Sequence, residues 1–271
     1  EKMYKLIALD MDGTLLNPQG QISPRTHAAI AAARAKGVTV VLASGRPLEG
    51  MSRYLVELGL TGQDDYVICY NGALVQQVAD QRIIRSQLLT GSDASAIARL
   101  ADELEVNVHG FSVSQGLISP RVSTYTEHES RLIGMPINLI DFATLAADEQ
   151  IMKVMMIDEP PQLSRAIERL PAELYERYTV VQSAPFFLEF MNKQSNKGTG
   201  VAALAEHLGL DASQVIAVGD AGNDHHMIEY AGLGVAMGNA TDDIKALAQH
   251  ITGRNDEDGV AQVIERFILN A

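Results

Sequence analysis

Leu6-Ile7-Ala8-Leu9-Asp10-Met11-Asp12-Gly13-Thr14 is the stretch that decides the architecture. Its four leading apolar residues read as a parallel strand buried on both faces. The run stops abruptly at two carboxylates and a glycine. Ligands of open α/β sheets sit beyond the carboxyl ends of the strands, so Asp10 and Asp12 stand where chemistry is expected. Two residues apart on extended chain, they would point the same way, roughly 7 Å apart. Gly13 then allows a turn. One carboxylate could attack an electrophile while the other handles a proton, which requires that their environments differ.

Outward from that strand, both ends of the chain alternate strand and helix. Ser23 is a candidate N-cap, Pro24 stands at the first helical position, and Gly37 ends a helix over 23–36. Val38–Ala43 and Tyr66–Tyr70 read as further strands. Later come a helix at 197–208, a strand at 215–218, a helix at 223–231, a strand at 233–237, and helices at 241–248 and 259–268. Such alternation predicts a doubly wound, Rossmann-like parallel sheet. The middle differs. A hairpin at 72–88 is followed by a helix at 92–105, and candidate strands cover 107–113, 116–119, 137–140, 152–157, 178–183 and 186–191. Strands next to strands imply antiparallel pairing, hence an α+β module. The expected division is a core of 1–84 plus 192–271 with a module of 85–191 inserted.

Three more fragments repeat the strand-then-polar pattern. Ser44-Gly45-Arg46-Pro47 offers a hydroxyl, backbone N–H groups and a helix start, a good seat for an anion. Lys197 precedes Gly198-Thr199-Gly200 at the start of a helix, where the dipole favours anions. A lysine there is electrostatically misplaced unless it holds an anion. Gly219-Asp220 closes the strand at 215–218, and Asn223-Asp224 opens the next helix. Asp220 joined to Asp10 would make a hard oxygen site suited to Mg²⁺. Asn223 and Asp224 also suit plain capping, and Asp224 is expected to serve both purposes. Taken singly, each fragment has an ordinary explanation as a turn or cap; the set is what points to chemistry.

Composition narrows the classes. A chain of 271 residues with 46% hydrophobic content can bury a sizeable core. Its net charge of −13 argues against nucleic-acid binding, which needs basic patches. An anionic substrate would then need local positive charge, from a metal ion or placed basic residues. No apolar run approaches the roughly 20 residues that span a bilayer, and no secretory signal is visible, so a cytoplasmic location is expected. The single cysteine, Cys69, lies in an apolar strand and reads as core.

In this order and spacing the four fragments resemble the haloacid dehalogenase superfamily of phosphotransferases. The whole chain is similar to its Cof-type branch, in which a large cap is inserted between the second and third motifs. Asn71-Gly72-Ala73, Lys153–Asp158 and Asn196–Gly200 add to the likeness. The resemblance implies a Mg²⁺-dependent phosphatase of sugar phosphates and related small phosphorylated metabolites. Asp10 would be the nucleophile and Asp12 the acid and base. The metal would be held by the Asp10 carboxylate, the Asp12 carbonyl and Asp220, with Asp224 steadying the outer shell. Ser44, Gly45, Lys197, Asn223 and the Met11 N–H would hold phosphoryl oxygens; Arg46 and Asn71 would reach the substrate. The cap would exclude stray water. The chain is expected to act as a monomer or homodimer without nucleic-acid or membrane partners. The alternatives are a phosphomutase on the same scaffold and a non-catalytic sensor of phosphorylated metabolites.

Overall fold

The computed structural model describes residues 3–271. The chain divides into two compact units, one running to Ser86 and again from Asn196 to Ala271, the other covering Gln87–Ser195. The division falls two and four residues later than the sequence places it. The reason is local: the Asn192 amide donates to the Leu88 carbonyl (2.8 Å) and the Ser195 N–H to the Asn192 carbonyl (2.8 Å), tying these residues to the inserted unit.

The first unit is built on an eight-stranded sheet. In spatial order its strands are His250–Ile251, Leu233–Ala236, Val215–Gly219, Leu6–Leu9, Thr39–Ala43, Tyr66–Cys69, Leu74–Gln77 and Ile83–Ser86. The first six run parallel; the last two form an antiparallel hairpin on one edge. Leu6–Leu9 is wholly inaccessible to solvent, as a central strand covered on both faces must be. Ser23 caps the helix Pro24–Ala35 by accepting the Thr26 N–H. Register decides which polar residues emerge together. Leu9 pairs with Val218 on one side and Leu42 on the other, so Asp10, Ser44 and Asp220 leave the sheet at one edge.

Two expectations are revised. The strand stops at Leu9, so Asp10 and Asp12 do not share an extended segment. Asp10 is buried and Asp12 is exposed, which gives them different surroundings. The segment 223–231 begins as a short 3₁₀ turn at Gly222–Asp224 before the helix His225–Tyr230, because Asp224 ties back to the residues before it.

The second unit carries a sheet ordered Tyr178–Ala184, Phe187–Asn192, Gln150–Ile157, Asn107–Ser112, Gly116–Ser119 and Ile137–Leu139, with Leu89–Thr90 pairing to Gln150–Ile157. One face packs Val154, Met156, Leu188 and Phe190 against Ile97 and Leu163 of the helices Gly91–Glu103 and Pro160–Glu168. The pairing is not antiparallel throughout. Gly116–Ser119 and Ile137–Leu139 run parallel because the helix Thr124–Ile133, invisible in the sequence pattern, carries the chain across. Residues on the other face of the sheet include polar ones: Lys153 pairs with Glu189 at 3.2 Å, both buried, and the His109 ring meets the Thr126 hydroxyl at 3.0 Å.

The loop after Tyr66–Cys69 carries unusual backbone. Tyr70, Asn71 and Gly72 have φ of 50°, 54° and 96°. A Cβ on Gly72 would fall 1.9 Å from the Asn196 carbonyl oxygen, at the cap of the helix that begins with Lys197. Gly72→Ala is therefore expected to destabilise the protein by more than about 2 kcal/mol, read as a lower midpoint in urea denaturation. An unchanged midpoint would show that the close approach is not needed.

Candidate active site

Lys197 organises the site. Asn196 caps the helix Lys197–His207 by accepting the Thr199 N–H at 2.8 Å, which places Lys197 in its first turn. The lysine is fully buried, and its ammonium donates to Asp10 Oδ1 and to Asp224 Oδ1, each at 2.7 Å. A lysine misplaced at a helix start is here paired twice. Asp224 uses its other oxygen to accept the N–H groups of Asp220 (2.9 Å) and Ala221 (3.3 Å). It therefore closes its own turn and receives the lysine.

Asp220 completes the cluster. One oxygen each from Asp10, Asp220 and Asp224 lies within 4.8 Å of the others. Gly13 permits this: with φ of 81°, a Cβ there would fall 2.2 Å from Asp220 Oδ2. Thr14 and Asn239 were not singled out by sequence reasoning. The Thr14 hydroxyl donates to Asp220 Oδ1 at 3.0 Å, and the Asn239 amide holds the Gly13 carbonyl at 2.9 Å. Thr14 stands inside the acidic motif and could have been suspected from that; nothing local marks Asn239.

Burial and charge act against each other in this cluster. Burial pushes Asp10 up to about 6, opposed by the Lys197 ammonium and helped by Asp220. Burial likewise pushes Asp224 up to about 7, and Asp220 is raised for the same reason. Burial disfavours the Lys197 charge, yet Asp10 and Asp224 outweigh it and hold the ammonium above its ordinary value. With all three carboxylates ionised and one lysine charged, two negative charges stay uncompensated in a desolvated place. Hard carboxylate oxygens crowded together with that residual charge fit a divalent cation.

The remaining expected residues line the same edge. Ser44 is buried; its hydroxyl oxygen accepts the Arg46 N–H at 3.1 Å and its carbonyl the Asn71 N–H at 2.9 Å. Gly45 lies against Asn71: a Cβ there would come 3.2 Å from the Asn71 amide nitrogen. The Asn223 amide donates to Asn71 Oδ1 at 3.1 Å, so those two residues meet each other. The Met11 side chain is wholly inside the core, leaving only its backbone to serve a ligand. Arg46 reaches the Asp12 carboxylate. Cys69 is a core residue whose thiol burial holds far above its usual range.

Residues 7–264 match the haloacid dehalogenase-like hydrolases. The chain belongs to that family. It is 42% identical over 269 residues to YxeH of Bacillus subtilis, provisionally named a phosphatase, with 98% of this chain and 99% of that one covered. It is 32% identical over 265 residues to the 5-amino-6-(5-phospho-D-ribitylamino)uracil phosphatase YcsE of the same organism, covering 98% and 96%. Among solved structures, a haloacid dehalogenase-like hydrolase from Bacteroides thetaiotaomicron superposes with a TM-score of 0.86 at 31% identity, over 98% of this chain and 100% of that one. The protein is thus a phosphatase of this hydrolase family. Among the described residues no helix is long and apolar enough to cross a membrane.

The raised carboxylates give a pH signature. A carboxyl with a higher pKa in the folded state holds its proton more tightly there, so stability falls as pH rises from the ordinary carboxylate range through the folded values of about 6 and about 7. Lys197 stays charged throughout that window. In chelator, the urea midpoint is expected to fall between about pH 5 and about pH 8. A saturating divalent cation should recover that loss at the upper pH and less at the lower one, where protons already occupy the oxygens. An equal recovery at both pH values would contradict this charge accounting.

Proposed function

We propose that this phosphatase is Mg²⁺-dependent, hydrolyses sugar phosphates and related small phosphorylated metabolites, and works through an aspartyl phosphate on Asp10. One observation carries the reading: a buried lysine bridges Asp10 and Asp224 at 2.7 Å each, with an Asp220 oxygen gathered beside them. Asp10, Asp220 and the Asp12 carbonyl would hold the cation, with Asp224 fixed behind them by its bonds to Lys197 and to the Asp220 N–H. Bound there, the cation would supply the charge that lets one anion approach another.

The chain's own groups account for the other tasks. Burial opposes the charged form of Asp10, and the Lys197 ammonium bonded to it at 2.7 Å favours that form. Asp10 attacks phosphorus as the bond to the sugar oxygen breaks. The Ser44 hydroxyl, the Gly45 and Met11 N–H groups, Asn223 and Lys197 steady the phosphoryl oxygens as charge spreads over them. Asn71 holds the Asn223 amide in place. Asp12 sits outside the buried cluster, with a side chain 70% exposed, where it can protonate the departing alkoxide and then take a proton from water. A sugar alkoxide is a poor leaving group, so such an acid is needed most for that substrate class. The substrate in the name of YcsE, with its phosphorylated ribityl chain, belongs to the same chemical class.

Asp10→Asn is expected to lower phosphate release from sugar monophosphates by ~10³-fold or more while circular dichroism stays native. Chelation should abolish wild-type turnover and Mg²⁺ should restore it. Wild-type rates in the variant, or full activity in chelator, would remove Asp10 or the metal from the mechanism.

A further inference from the structure

By residue type Arg46 is a candidate substrate contact, and its surroundings say otherwise. Its main chain is fixed on both sides: the N–H donates to Ser44 Oγ at 3.1 Å, and the carbonyl accepts the Tyr70 N–H at 3.1 Å. Its guanidinium is fixed as well. Nη1 donates to the Gly50 carbonyl at 3.2 Å, and the group lies 6.0 Å from the centre of the Tyr54 ring. Nη2 straddles both Asp12 oxygens, at 2.9 and 3.1 Å. Both terminal nitrogens are therefore engaged by the protein.

The pair is asymmetric. The Arg46 side chain is 21% exposed and held by three neighbours, whereas that of Asp12 is 70% exposed. Such a solvent-facing ion pair adds little stability. It still restricts orientation, because one nitrogen spans both oxygens. The arginine is the enclosed partner and the aspartate the solvent-facing one.

Resting on the phosphatase reading above, we propose that Arg46 is a positioning residue that acts through Asp12: it clasps the carboxylate between proton transfers and sets its direction, and it does not bind the phosphoryl group or the sugar. In the first half-reaction the Asp12 O–H proton passes to the sugar oxygen as the P–O bond breaks and its electron pair stays on that oxygen. The carboxylate so formed is taken up by Arg46. In the second half-reaction Asp12 leaves the clasp to accept a proton from water, as the water oxygen bonds to phosphorus and the Asp10–phosphorus bond breaks. A weak, directional clasp suits a group that must be released once in each half-reaction.

A double-mutant cycle tests this on one alkyl substrate, a hexose monophosphate, and one aryl substrate, p-nitrophenyl phosphate. Arg46→Ala is expected to lower kcat on the hexose phosphate on the order of tenfold, part of what a placed acid–base group contributes. The loss on the aryl ester should be smaller, since its leaving group needs less protonation, and KM should move little. In the Asp12→Ala background, removing Arg46 should cost nothing further. Arg46→Lys should recover part of the loss and serves for the cycle if the alanine variant does not fold. Losses that multiply, or a KM rise of equal size on both esters, would overturn the proposal and return Arg46 to the substrate. A wild-type chain that hydrolyses neither ester would overturn the phosphatase reading itself, and this proposal with it.

Discussion

A lysine ammonium sealed inside the sheet unit, bonded to two carboxylates at 2.7 Å, is the constraint on which the site depends. Burying such a charge is expensive unless its partners are well placed, and leaving one partner unpaired costs several kcal/mol, roughly 3–5. The fold meets that demand from three directions. Asp10 comes off the central strand, Asp224 from the turn after a neighbouring strand, and Lys197 from a helix capped by Asn196. Residues 187 positions apart in sequence are thereby held to within a hydrogen bond.

Neutralisation stops short of completion. Burial raises all three carboxyl groups, Asp10, Asp220 and Asp224, and the single lysine opposes that rise without cancelling it. Three carboxylates gathered around one lysine in a desolvated place could hold a metal ion, and the proposed function puts a cation there. The same logic separates Asp10 from Asp12. One lies in the interior and the other in solvent, and that difference in surroundings, without any change in side-chain type, is what lets the proposed mechanism give them different tasks.

Much of this was legible in the sequence because each feature is local. An apolar run ending in acids places Asp10 and Asp220 at strand ends, and Ser23, Pro24 and Gly37 bracket a helix. What escaped has a non-local origin. The helix Thr124–Ile133 carries a polar, mixed sequence whose buried positions are Thr126, Glu129 and Ile133, so no apolar stripe announces it. The end of the first strand at Leu9 reflects the bends around Gly13, which answer to Asp220 across the sheet. Arg46 reads by residue type as a group that would reach the substrate; its bonds to Asp12 and Gly50 depend on the fold and leave no local mark in the sequence. The left-handed Tyr70-Asn71-Gly72 turn is signalled by its Asn-Gly pair, both residue types that tolerate positive φ, whereas Tyr70 gives no such signal.

The central claim is that the Asp10 carboxylate itself becomes phosphorylated, forming an acyl phosphate. Its most direct test is to mix the protein with Mg²⁺ and a sugar phosphate, quench within the first turnovers, reduce with borohydride and locate the modified residue by peptide mass spectrometry. The expected result is homoserine at position 10, formed only when substrate and Mg²⁺ are both present. Reduction at another aspartate, or turnover with position 10 unmodified in a variant whose hydrolytic step is slowed, would contradict it.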